Sequence, residues 1–134
     1  MLMAKAQTVP LRDSNDVVHA RQVVRQWAAN LGFSLVDQTK LVTAASELAR
    51  NTVTYGRGGD LQLEVVTENS RTGLRLIFED RGPGIPDIDL ALKDGFSSGT
   101  GLGLGLGGAR RLCNEFEIDS KPGHGTRIMI ARWK

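Results

Sequence analysis

Apolar residues in the first half of the chain recur with the period of a helix. Val17, Ala20, Val24, Trp27, Ala28 and Leu31 fall on one stripe, with Ser14 or Asn15 available as an N-cap and Gly32 as a stop. Ser34 followed three residues later by Asp37 resembles a capping box with a shortened acid. A second helical pattern then runs through Leu41, Ala45 and Leu48 to about Tyr55. Beyond it the period changes to two. Leu61, Leu63 and Val65 alternate, the stretch Glu68 to Gly73 reads as a turn, and Leu74 to Phe78 reads as a buried strand ending in Glu79 and Asp80. From Arg81 to Gly108 glycine crowds the chain, with prolines at Pro83 and Pro86, which predicts loop. A helix resumes near Gly105 and is expected to run to Glu115. Strands at Phe116 to Asp119 and Thr126 to Ala131 flank a turn at Pro122 to Gly125, and Thr8 to Leu11 fits an edge strand. Helices on one side of a hairpin-rich sheet make an α/β, two-layer arrangement over residues 1–134 as one domain.

Composition narrows the class. A chain of 134 residues, 40% hydrophobic and 24% charged, can bury a core but has no room for a catalytic domain and a separate substrate domain, so a macromolecular substrate is another protein. No apolar run is long enough for a membrane span and Met1 to Gln7 lacks a signal core, which predicts a cytoplasmic protein without a membrane partner. Cys113 is the one cysteine, so neither an internal disulfide nor a zinc site is expected. The net charge of +2 is spread along the chain, and adjacent Arg110 and Arg111 read as solvated surface, so no nucleic acid partner is expected.

Three segments carry candidate chemistry. Glu47 and Asn51 stand four apart on the second helix, so a carboxylate and an amide share one face while Leu41, Ala45 and Leu48 turn to the core. Asp80 opens Asp-Arg-Gly-Pro-Gly-Ile; Gly82 and Gly84 remove side chains and let a flat ligand approach the backbone beside a carboxylate, although the same residue types also favour a simple Asp-initiated turn. The run from Gly99 to Gly108 places bare amides ahead of a helix, an arrangement suited to an anion. Its formal G-x-G-x-x-G from Gly103 to Gly108 is not a dinucleotide fingerprint, because no strand precedes it, and no P-loop pattern is present.

In order, Glu47-x-x-x-Asn51, Asp80-x-Gly82-x-Gly84, Gly101-x-Gly103-x-Gly105 and Gly123-x-Gly125-Thr126 resemble the N, G1, G2 and G3 boxes of the GHKL ATPase superfamily. Phe96 ahead of the G2 glycines adds to the likeness. The stretches Ser46 to Asn51 and Asp80 to Asp87, with Asp94 to Ser97 and the closing Arg132-Trp133, resemble the bacterial anti-sigma-factor serine/threonine kinase group within it. Ser46 stands where many sensor histidine kinases carry a histidine, which favours the serine kinase branch.

The resemblance implies a Bergerat-type ATP-binding fold, a mixed, mostly antiparallel sheet covered on one face by about three helices. It implies ATP with Mg2+, Asn51 as the magnesium residue and Glu47 as the catalytic base. Asp80 would accept a hydrogen bond from the adenine amino group, Gly82 and Gly84 would clear room, and Thr126 would close the pocket. Gly101, Gly103 and Gly105 would bring amides to the phosphates, under a lid from Pro86 to Thr100 whose Ser97, Ser98 or Thr100 could touch the terminal phosphate. His19 and His124 are expected to be structural or exposed. Implied partners are a STAS-domain protein as substrate and a PP2C-type phosphatase as an alternative partner, with a sigma factor less favoured. Two rival expectations are a non-catalytic ATP-gated binding module and an anti-sigma factor that holds a sigma factor directly.

Overall fold

The computed structural model describes residues 5–92 and 105–134. Its elements run β1 (Ala6–Leu11), α1 (Ser14–Asn30), α2 (Leu35–Thr54), β2 (Gly59–Glu68), β3 (Arg71–Asp80), α3 (Ile88–Ala91), α4 (Gly105–Arg111), β4 (Glu115–Lys121) and β5 (Gly125–Trp133). The strands form one five-stranded sheet in the order β1-β2-β3-β5-β4. Among the described residues every pairing is antiparallel, so the sheet lies at the antiparallel end of the expected arrangement.

Strand alternation builds the core. Leu61 and Leu63 on β2, Leu74, Leu76 and Phe78 on β3, and Ile128 and Ile130 on β5 point to the helix side and are buried. Each such side chain contributes about 1.5–3 kcal/mol on leaving water. Against them lie Leu41, Ala45 and Leu48 of α2 and Val24, Trp27 and Ala28 of α1, the stripes that the helical period marks. Among the described residues the opposite face carries a small buried cluster of Ile77, Met129 and Ala131.

Several boundaries differ from the sequence expectation, each for a local reason. The cap of α1 is Asp13, whose carboxylate accepts from the Asp16 N–H at 3.1 Å, in place of Ser14 or Asn15. Ser34 does cap α2 through the Asp37 N–H, but Asp37 does not complete a capping box: its carboxylate binds Arg132 at 2.7 Å. The β2–β3 connection is a two-residue turn at Asn69 and Ser70, both at positive φ, which matches the strand twist and lets both strands run longer than the alternation indicates. Helix α4 stops at Arg111, short of the expected Glu115, because the Asn114 N–H already bonds to the Ala131 carbonyl and Glu115 is committed to β4.

Candidate functional site

Helix α2 presents Glu47 and Asn51 on the flank between its buried face and solvent; both are half-buried. The Glu47 side chain is 12% exposed and its Oε1 accepts from Arg50 Nη1 at 3.2 Å. Among the described residues no side-chain hydrogen bond commits the Asn51 amide. A carboxylate and an amide oxygen one helical turn apart are hard donors, a set that suits Mg2+.

Asp80 ends β3, the middle strand of the sheet. Its Oδ1 accepts from the Gly82 N–H at 2.8 Å, and the Thr126 backbone amide also favours the anion. Burial nevertheless pushes the Asp80 carboxyl above its ordinary value: removing water penalises the anion more than the Gly82 and Thr126 amides favour it, and the nearby Glu79 charge adds to the rise. An acceptor only partly satisfied by its own chain, at the end of a central strand, can receive a ligand's N–H.

The glycines around Asp80 have a first task within the protein. A Cβ on Gly82 would stand 2.8 Å from the Gly56 backbone, one on Gly84 would run into the Lys121 carbonyl, and one on Gly125 into the Asp80 carbonyl. They let three backbones meet around one carboxylate, a packing role beside the two expected ones of admitting a ligand or forming a turn. The loop after Asp80 is then fastened to the β4–β5 hairpin: Gly123 donates to the Pro83 carbonyl at 2.8 Å and Ile85 donates to Ser120 Oγ at 2.7 Å. Ser120 also lies 2.7 Å from Thr126 Oγ1 and 3.2 Å from the Gly125 carbonyl.

The fold therefore brings Asp80, Gly82, Gly84 and Thr126 together, and places Glu47 and Asn51 on the helix that packs over the same sheet face. Gly105 opens α4 at positive φ. Gly101, Gly103, Phe96, Ser97, Ser98 and Thr100 lie outside the described residues. Of the expected lid, the described part contains α3, capped by Asp87, whose Oδ1 accepts from the Leu90 N–H at 3.0 Å. His19 and His124 are both exposed. A cavity of about 360 Å³ opens at the Asp80 strand end; beside Asp80 and Thr126 its walls include Glu79, Asp119, Lys121 and Arg127, charges of both signs that do not suit a polyphosphate.

Sequence reasoning missed Ser120 and Gly56. A signal for the first was available: Phe116, Ile118 and Ser120 alternate onto the core-facing side of β4, and a hydroxyl at an inward position needs a partner. Gly56 carries no such signal, since its closeness to Gly82 depends on how α2 ends relative to β3.

Residues 36–134 match the model of the histidine kinase-, DNA gyrase B- and HSP90-like ATPases. The chain is 48% identical over 118 residues to the serine/threonine-protein kinase RsbT of Bacillus subtilis, covering 88% of this chain and 89% of that one. It is 29% identical to an anti-sigma F factor of Shouchella clausii, over 84% of this chain and 81% of the relative. Among solved structures, the RsbU and RsbW domains of Rv1364c from Mycobacterium tuberculosis superpose with a TM-score of 0.66 at 20% identity, over 98% of this chain and 33% of that one, a likeness of fold. With all four sequence boxes inside the matched span, the chain belongs to the histidine kinase-, DNA gyrase B- and HSP90-like ATPase family, among the relatives of RsbT.

Proposed function

We propose that the chain is an ATP-dependent protein serine/threonine kinase of a partner-switching module, in which Glu47 is the base and the Asp80 pocket holds adenine. The observation that carries the reading is the placement of a nearly buried carboxylate, Glu47, one helical turn from the uncommitted amide of Asn51, over the sheet that ends in Asp80. Similarity to RsbT over most of both chains supports the kinase activity.

In this reading the Asp80 carboxylate accepts from the adenine amino group. Guanine has a carbonyl there and would leave the carboxylate unpaired against a lone pair. Asn51 would help hold Mg2+, which supplies charge neutralisation at the phosphates. Gly101, Gly103 and Gly105 would bring backbone amides to those phosphates. Glu47 orients the partner's hydroxyl and accepts its proton as the hydroxyl oxygen bonds to the γ-phosphorus; the bond to the bridging oxygen breaks and ADP leaves. Such chemistry depends mainly on position, which a rigid helix over a sheet provides.

The substrate in this reading is a STAS-domain protein, and the alternative partner is a phosphatase of the PP2C type. The test is transfer of radiolabelled γ-phosphate from Mg-ATP to a candidate STAS-domain protein. Label on a partner serine or threonine, lost with Glu47→Ala while ATP still binds, is the expected result. Loss of ATP binding with Glu47→Ala would overturn the assignment of roles. The anti-sigma F factor likeness favours one further reading, a nucleotide-gated module that captures a sigma factor, and ATP binding without transfer would select it.

A further inference from the structure

Ser120 is not among the residues assigned to the nucleotide, yet three polar contacts converge on its hydroxyl. Its Oγ accepts from the Ile85 N–H at 2.7 Å, lies 2.7 Å from Thr126 Oγ1, and lies 3.2 Å from the Gly125 carbonyl. A serine hydroxyl has one proton and two lone pairs. The Ile85 amide uses one lone pair, and the Gly125 carbonyl can only accept. Two arrangements remain for the proton of Ser120. If it goes to Gly125, Thr126 donates to Ser120 and shows only lone pairs elsewhere. If it goes to Thr126, the Thr126 proton is released to point away from Ser120.

The second arrangement has a chemical consequence at Asp80. Thr126 is buried at the strand position directly opposite Asp80, and its backbone amide favours that carboxylate's anion. A carboxylate acceptor beside a hydroxyl donor is the complement of an amino group beside a ring nitrogen, the edge that adenine offers. Guanine presents the reverse order, a carbonyl beside an N–H. The direction of one hydroxyl proton thus helps decide which purine edge fits, directly or through a water.

We propose that Ser120 is a positioning residue for base selection: by donating to Thr126 when nucleotide is bound and accepting from it when the site is empty, it lets Thr126 present a proton to the purine. The inference rests on the reading of Asp80 and Thr126 as the adenine pocket. Only a residue that can both donate and accept at this point serves; alanine removes the switch and threonine keeps it.

The test measures binding of ATP and GTP by calorimetry to the parent chain, Ser120→Ala, Ser120→Thr, Thr126→Val, the double variant Ser120→Ala/Thr126→Val, and Asp80→Asn, with circular dichroism melts of each. Ser120→Ala is expected to weaken ATP about 10-fold, the scale of one buried hydrogen bond, and to weaken GTP less. Ser120→Thr should restore both the affinity and the preference. On the Thr126→Val background the serine change should add almost nothing, because the two act through one hydroxyl pair. An equal loss for both nucleotides, an additive double variant, or no loss of ATP affinity would overturn the proposal for Ser120. If Asp80→Asn leaves the ATP preference intact, the pocket reading itself fails and takes this proposal with it; if Asp80→Asn removes the preference and Ser120→Ala does not, Ser120 alone is wrong.

Discussion

At Asp80, burial opposes ionisation while the Gly82 and Thr126 amides favour it, and burial prevails, so the carboxyl sits above its ordinary value of 3.8. An acid whose folded value is raised holds its proton more tightly in the folded chain. It therefore favours folding at acid pH and opposes it once the pH climbs through 3.8 to the raised value. Two outcomes follow at this one residue. ATP affinity should show an acid limb centred above 3.8, measurable by calorimetry across pH, and Asp80→Asn should abolish that limb together with most of the affinity. The same variant should melt higher than the parent at neutral pH, the signature of a group kept for binding at a cost in stability. Asp80 was readable in the sequence because it ends an apolar run and opens a glycine-proline loop. Its burial was not, since that comes from Gly56, Gly82 and Gly125, which approach from three separate segments.

The elements join through side chains that periodicity does not disclose. Arg132 on β5 reaches the Leu112 carbonyl just beyond α4 at 2.8 Å and Asp37 in the first turn of α2 at 2.7 Å, so one side chain ties two helices to the sheet. The Arg132 guanidinium holds the Asp37 carboxyl below its ordinary 3.8. A lowered carboxyl adds stability that is present above 3.8 and is lost as the pH falls through the lower folded value. Asp37→Asn should therefore lower the melting temperature at pH 7, and its difference from the parent should close on acidification below 3.8, as read by circular dichroism melts. At the β4–β5 hairpin, Gly125 has φ +84 and a Cβ there would strike the Asp80 carbonyl. Gly125→Ala should cost on the order of 1–3 kcal/mol in denaturant unfolding and should weaken ATP binding, because it displaces the strand end that presents Asp80. The helices and strands were legible from the 3.6 and two-residue periods, as the Leu41, Ala45 and Leu48 stripe shows. Their ends were less so: Asp13 replaced Ser14 as a cap because a carboxylate one residue earlier reaches the Asp16 amide, and Asp37 left its own helix for Arg132.

Across the whole molecule Cys113 offers a reporter. It is half-buried beside the core and burial pushes its thiol up to about 12, so little thiolate exists at neutral pH. Labelling by a thiol reagent should wait for opening of the fold, and Mg-ATP at 100 times its dissociation constant should slow that labelling about 100-fold by mass action, if opening releases the nucleotide. A rate indifferent to ATP would place the opening in the α4–β4 segment alone. The sheet order has a further consequence for how the protein is made. Strand β5 follows β4 in the chain yet lies between β3 and β4, and it brings Gly125 and Thr126 beside Asp80. A ribosome delivers the chain from the N-terminus, so β1, β2, β3 and the α1–α2 pair can associate while β4 still has no neighbour. The nascent protein thus acquires a core before it acquires the proposed nucleotide site, and a kinase of this build stays silent until β5 has joined the β3 edge.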